Sequence, residues 1–174
     1  LFCYEISEIS INSLFINYTT AEGWMDKTVA SAVLSFGALG LFMFARVGGS
    51  WIMSRIKAEK VLAFCGFMTV VSALLVAMDL GTISKIGLFS CYAFEAIMFP
   101  TIFAITIARV DNNSVKIASS LLMMTPIGGA VGTLLMGLLA DATSMSTSFI
   151  IPAAGYIFVF LYSLSRLSAT RKTA

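Results

Sequence analysis

Apolar runs of about twenty residues alternate along the chain with short polar connections. About twenty is also the number of residues an α-helix needs to cross the hydrocarbon core of a bilayer. Six runs qualify, at residues 1–19, 28–48, 60–78, 84–108, 117–140 and 148–167. The pattern predicts an all-α integral membrane fold of six transmembrane helices, with residues 1–174 forming one transmembrane domain.

Polar residues inside these runs carry the functional signal, because water cannot solvate a charge within hydrocarbon. The first run holds Glu5, Glu8, Asn12 and Asn17. At 100° per residue, positions 5, 8 and 12 fall within about 60° of one another, so one polar stripe marks an otherwise apolar helix. A helix lying on the membrane surface would carry lysines and arginines on that stripe, and none is present. The stripe is therefore expected to face an interior, with Glu5, nearest the end of the run, also suited to an interface.

The fourth run, IGLFSCYAFEAIMFPTIFAITIAR, places Glu95 and Pro100 near its middle, with Tyr92, Glu95 and Met98 or Phe99 on one face. An intramembrane acid usually marks a solute, ion or proton path. The proline removes a helix hydrogen bond, which lipid tolerates only where other groups satisfy the freed carbonyl. In the fifth run, Pro126 is followed by Gly128, Gly129 and Gly132. This kink with a GxxxG pair suits close helix packing or a gating hinge. The small residues of the second run predict a packing surface, the uncharged third a partly lipid-facing helix, and the aromatic sixth a support on the outside of the bundle.

Composition agrees with a membrane protein. Of 174 residues, 59% are hydrophobic and 11% charged, against roughly 45–50% and 25% in soluble domains. The net charge of +2 gives no basis for a nucleic-acid partner. With no histidine, the Ser-His-Asp and Cys-His arrangements are excluded, so neither an enzyme nor a metal site nor a cofactor is expected. Cys3, Cys65 and Cys91 each lie in an apolar run and read as small buried side chains rather than a disulfide framework. The chain opens on LFCYEISEIS without an initiator methionine or a signal-peptide pattern, and reads as a fragment.

Charge also orients the spans, since basic residues gather on the cytoplasmic side. Arg46, Arg55, Lys57 and Lys60 make a basic loop between the second and third runs. Alternating topology adds Arg109, Lys116, Arg166, Arg171 and Lys172 to that side, nine of the eleven lysines and arginines, leaving Lys27 and Lys85 opposite. The expected C-terminus is thus cytoplasmic, with the chain multi-pass in a cell (inner) membrane. Trp24 sits where an interfacial anchor would.

The ordered set FCYEISEISINSLFINY, ARVGGSWIMSRIKAEKVL, FEAIMFPTIFAITI and MTPIGGAVGTLLMGLLADA resembles the C-terminal six-helix half of the fucose:proton symporter family of the major facilitator superfamily. The resemblance covers nearly the whole chain. It implies a twelve-helix transporter with an N-terminal half not contained in these residues, and a solute site between the halves. It further implies transport of a monosaccharide of the fucose, glucose or galactose class, with protons as a coupled partner and the lipid bilayer as surroundings. Glu8 falls on the acidic or amide position early in the family's seventh helix, and Phe99 and Pro100 on the aromatic-proline pair of its tenth. Glu95 stands where relatives are expected to carry a small, amide or apolar residue, so no family role passes to it.

The expected mechanism is alternating access. Glu8, Asn12 and Glu95 line the cavity with Glu5 and Tyr92 beside them, Phe99 stacks on an apolar sugar face, and Pro100, Pro126, Gly128, Gly129 and Gly132 serve gating or packing. The competing reading is a non-transporting scaffold or receptor with the same six helices.

Overall fold

The computed structural model describes residues 1–172, with side chains to residue 168. The side chains of Arg171 and Lys172 therefore lie outside the described residues. Every regular element among the described residues is helical.

Helix α1, Phe2–Ala21, ends at a turn in which Gly23 takes φ 66°, open to glycine without strain. Helix α2 runs Lys27–Met53. It starts where the Asp26 carboxylate accepts the Thr28 N–H at 3.1 Å, filling one of the bonds a helix start lacks. A π-helical turn at Val33–Ala38 interrupts it. Helix α3, Ala58–Ala77, passes through a turn with Asp79 and Gly81 at positive φ into α4, Thr82–Glu95. There follow α5, Met98–Ile107; α6, Val115–Met123; α7, Ile127–Ala142; and, after a 3₁₀ turn at Thr147–Phe149, α8, Ile150–Lys172.

Among the described residues, five stretches are long and apolar enough to cross a membrane: Lys27–Met53, Ala58–Ala77, Thr82–Ile107, Val115–Ala142 and Thr147–Ser168. The first predicted span, α1, matches in its length of 20 residues but not in apolarity. Two of the five spans are broken next to a proline, Thr82–Ile107 between α4 and α5 and Val115–Ala142 between α6 and α7. These are the two prolines singled out in the sequence. Pro126 immediately precedes α7, and Pro100 is the third residue of α5, where a missing N–H costs little within the new helix.

The core forms where α1 lies against α7 and α8, and α3 against α4 and α8. Three expectations about placement are corrected here. Helix α2 is an outer helix, with Phe36, Phe44, Val47 and Trp51 exposed, rather than a packing surface. Helix α3, expected to be peripheral and lipid-facing in part, is central, packed on α4 and α8, while Phe64, Phe67 and Leu74 keep one side of it exposed. Its Gly66 admits the backbone of α8, a Cβ there meeting Phe160 Cα at 3.3 Å, and a Cβ on Gly87 of α4 would meet the Ser72 carbonyl oxygen at 2.9 Å. Helix α8 is likewise central, with Ala153, Tyr156 and Val159 buried.

The glycines of α7 meet α1. A Cβ on Gly128 would lie 2.7 Å from the Phe2 carbonyl oxygen, and Cβ atoms on Gly129 and Gly132 would run into Ile9 and Ile6. Of the two readings of this stretch, close packing is what the glycines perform here.

Candidate functional site

The break between α4 and α5 brings the polar residues of three other helices together. Proline at position 100 has no N–H to offer the carbonyl of Ala96, four residues earlier, and Ala96 is buried. A buried carbonyl without a donor is costly, more so where no water reaches it. The Arg46 Nε–H supplies the bond at 2.8 Å. The preceding carbonyl, of Glu95, accepts the Tyr4 hydroxyl at 2.9 Å. Thr101 closes the first turn of α5, its hydroxyl donating to the Ile97 carbonyl at 2.6 Å. The interruption is therefore capped by side chains from α1 and α2.

Arg46 had been expected in the basic loop. It lies instead inside α2, which stays helical to Met53, and its guanidinium sits 4.8 Å from the centre of the Phe42 ring. The apolar stretch after it, VGGSWIM, favours continuing the helix past the expected end at Gly48. Arg55 and Lys57 do occupy the connection, exposed, while Lys60 belongs to the first turns of α3.

Glu95 was expected to line an open cavity, with Tyr92 and Glu5 beside it. All three are enclosed: Glu95 and Tyr92 are fully buried and Glu5 is 4% exposed. The cause is tertiary, since α1 and α8 close over that face of α4. The Tyr156 hydroxyl of α8 donates to Glu95 Oε2, while Oε1 has no hydrogen-bond partner. The Tyr92 hydroxyl is also buried without a partner, its ring edge-on to Phe15 at 5.9 Å.

Glu8 and Asn12 are half-buried. The Asn12 amide donates to the Glu8 carbonyl at 3.1 Å, leaving its buried Oδ1 without a donor. One turn before Glu8 on the same helix stands Tyr4, whose hydroxyl hydrogen goes to the Glu95 carbonyl, and the Arg46 guanidinium is near enough to Glu8 to act on it electrostatically. Phe99 is partly buried, 6.4 Å from the Tyr4 ring and stacked on Phe103 at 6.3 Å.

Tyr4, Tyr156 and the capping role of Arg46 were missed in the sequence. Tyr4 was within reach of it, being four residues before Glu8 and so on the same helix face. Nothing in the linear pattern joins Tyr156 to Glu95, 61 positions earlier. Two cavities of about 650 and 480 Å³ lie elsewhere. The first is lined by Leu1, Arg109, Tyr162 and Arg166 among others, the second by Gly48, Gly49, Lys60 and Phe94 among others, and neither takes in Glu8, Asn12 or Phe99.

This arrangement was compared with known proteins. No family model matches the chain. The L-fucose-proton symporter of Escherichia coli (strain K12) is 32% identical over 167 residues, covering 95% of this chain and 38% of the symporter. Its crystal structure superposes with a TM-score of 0.89 over 95% of this chain and 40% of that one. The chain matches one half of a major facilitator superfamily fucose:proton symporter.

The match to the symporter half holds for another structure of the E. coli protein, in the outward conformation, at a TM-score of 0.87. A glucose/galactose transporter of Brucella abortus biovar 1 (strain 9-941) is 29% identical over 167 residues, 94% of this chain and 40% of the transporter. A peptide transporter shares the fold at a TM-score of 0.83 with 15% identity. The chain thus spans about two fifths of the curated relatives it matches.

Proposed function

We propose that this chain is the C-terminal half of a proton-coupled monosaccharide transporter, working by alternating access against an N-terminal half of the same protein. The observation that carries the reading is the agreement in sequence and in backbone with the E. coli L-fucose-proton symporter across 95% of the chain. The polar groups fit a sugar. Asn12 Oδ1 offers a buried acceptor to a hydroxyl, Glu8 offers a carboxylate one turn away, and Phe99 offers an aromatic face for the apolar side of a pyranose. They form no closed pocket by themselves, as expected of a site completed by a second half.

Fucose, glucose and galactose are the candidate solutes, following the names of the relatives. In this reading the C-terminus faces the cytoplasm of an inner membrane, supported by the eight basic residues other than Arg46 that alternating topology assigns to one side.

The test is uptake of the three labelled sugars by vesicles containing the full-length protein, with external pH followed at the same time. The expected result is accumulation of one sugar with alkalinisation of the medium. Absence of sugar movement for all three would overturn the reading in favour of a scaffold.

A further inference from the structure

Glu95 is a carboxyl group with no route to a sugar. It remains fully buried in this half alone, where every surface that a second half would cover is still open. No solute entering between the halves meets it in this conformation. A proton needs no such opening, only neighbouring oxygen atoms that exchange it. The surroundings supply them. From α8, the Tyr156 hydroxyl bonds Oε2. From α1, the Tyr4 hydroxyl donates to the Glu95 carbonyl, and Glu8, one turn on from Tyr4, lies within electrostatic reach of Glu95. From its own helix come the buried Cys91 thiol and Tyr92 hydroxyl. From α2, the Arg46 side chain comes near, but its Nε–H is directed at the Ala96 carbonyl.

Carboxyl Oε1 stands with the Tyr92 hydroxyl and Asn12 Oδ1 as a buried polar atom without a hydrogen-bond partner among the described residues. No ion pair to Glu95 exists among the described residues. An acid built only into the architecture would be expected to have both oxygens satisfied. An acid that gains and loses a proton must have one oxygen free to take it. Glu8, half-buried and one turn from Tyr4, is the acid within electrostatic reach of Glu95 that is also partly exposed.

We propose that Glu95 is a proton-binding site internal to this half, taking up and releasing one proton in each transport cycle, with Glu8 as its exchange partner and Tyr156 as its positioning residue. Uptake moves a proton from the Glu8 carboxyl, whose O–H bond breaks, to the Glu95 carboxylate, where one forms; release reverses that transfer, and Glu8 takes its proton from and gives it to water on the open face. The proposal rests on the transport reading above and adds to it a proton site in this half, separate from the sugar contacts.

The experiment uses the full-length protein in proteoliposomes and measures two quantities. Sugar counterflow reports binding and exchange without net proton movement. Sugar-induced proton uptake reports coupling. In Glu95→Gln, counterflow is expected to stay within about twofold of the unmodified protein while proton uptake falls about tenfold or more. Proton uptake at the unmodified level overturns the proposal, and loss of both activities in a folded variant overturns it in favour of a structural or sugar-binding role.

Should Glu95→Gln fail to fold, Tyr156→Phe removes a single hydroxyl from the site. It is expected to displace the pH midpoint of proton uptake and leave counterflow in place, and an unmoved midpoint overturns the proposal. An unmodified protein without counterflow for any of the three sugars fails earlier, at the transport reading, and takes the proposal with it.

Discussion

The cap on the Ala96 carbonyl makes a quantitative prediction. Replacing Arg46 by methionine keeps an unbranched apolar stem and removes the guanidinium, so the carbonyl that Pro100 leaves without a backbone partner loses its 2.8 Å donor. A hydrogen bond involving a charged group contributes about 1.5–3 kcal/mol, and a buried acceptor left alone costs about 1–3 kcal/mol. The contact of the guanidinium with the Phe42 ring, at 4.8 Å, adds about 0.5–1 kcal/mol at an exposed site. Because Arg46 is itself exposed, the lower half of these ranges applies, and the expected cost is about 2 kcal/mol, or about thirtyfold in the unfolding equilibrium.

The second arm separates this cap from any general effect of losing a charge. Pro100→Ala restores an N–H that can reach the Ala96 carbonyl, since Thr101 N–H already bonds the Ile97 carbonyl at 3.3 Å in the next position of the ladder. In that background Arg46→Met is expected to cost less than about 1 kcal/mol, a coupling of about 1 kcal/mol between the two sites. Independent changes add to within about 0.3–0.5 kcal/mol. The assay is denaturant unfolding of the full-length protein in mixed micelles for the unmodified protein, both single variants and the double variant. Additive effects within that scatter would refute the reasoning.

Other changes have expected outcomes of known sign. Gly132→Ala drives a methyl group against the Ile6 backbone and should destabilise by about 1–3 kcal/mol, whereas Gly137→Ala, with nothing within 4 Å, should stabilise by up to about 1 kcal/mol; thermal unfolding should separate the two by sign. Ser84→Ala removes a hydroxyl that donates to the Leu75 carbonyl and accepts the Leu80 N–H, both at 2.8 Å, and should cost about 1–2 kcal/mol by opening the turn between α3 and α4, measured as faster amide exchange there. Asn12→Ala should weaken sugar binding about tenfold or more in equilibrium titration while leaving thermal stability within about 1 kcal/mol, because Oδ1 has no partner among the described residues.

The amino-acid sequence alone located the five stretches long and apolar enough to cross a membrane, because bilayer thickness sets a length that hydropathy reports directly, though it counted the more polar α1 with them and ended α2 at Gly48 where the helix runs on to Met53. It also located the two interruptions next to Pro100 and Pro126, since a proline acts on its own helix through the carbonyl four residues back, but not the π-helical turn at Val33–Ala38. The polar stripe on α1 and the small-residue face of α7 were equally local, being matters of helical period. Burial was not. That α2 lies outside and α3 and α8 inside depends on which glycines meet which backbones, as Gly66 meets Phe160 and Gly132 meets Ile6.

The same is true of the site. An acid at position 95 was legible as a functional signal. Whether it opened onto a cavity or was sealed behind Tyr156 depended on how α8 returned across the bundle, and helical period carries no information about a partner 61 residues away. Arg46 shows the division most plainly. In sequence it was one more basic residue before a loop. Only the tertiary structure made it the donor to a carbonyl that a proline 54 residues later had left without one, because a buried carbonyl must take its bond from whatever side chain the fold brings within reach.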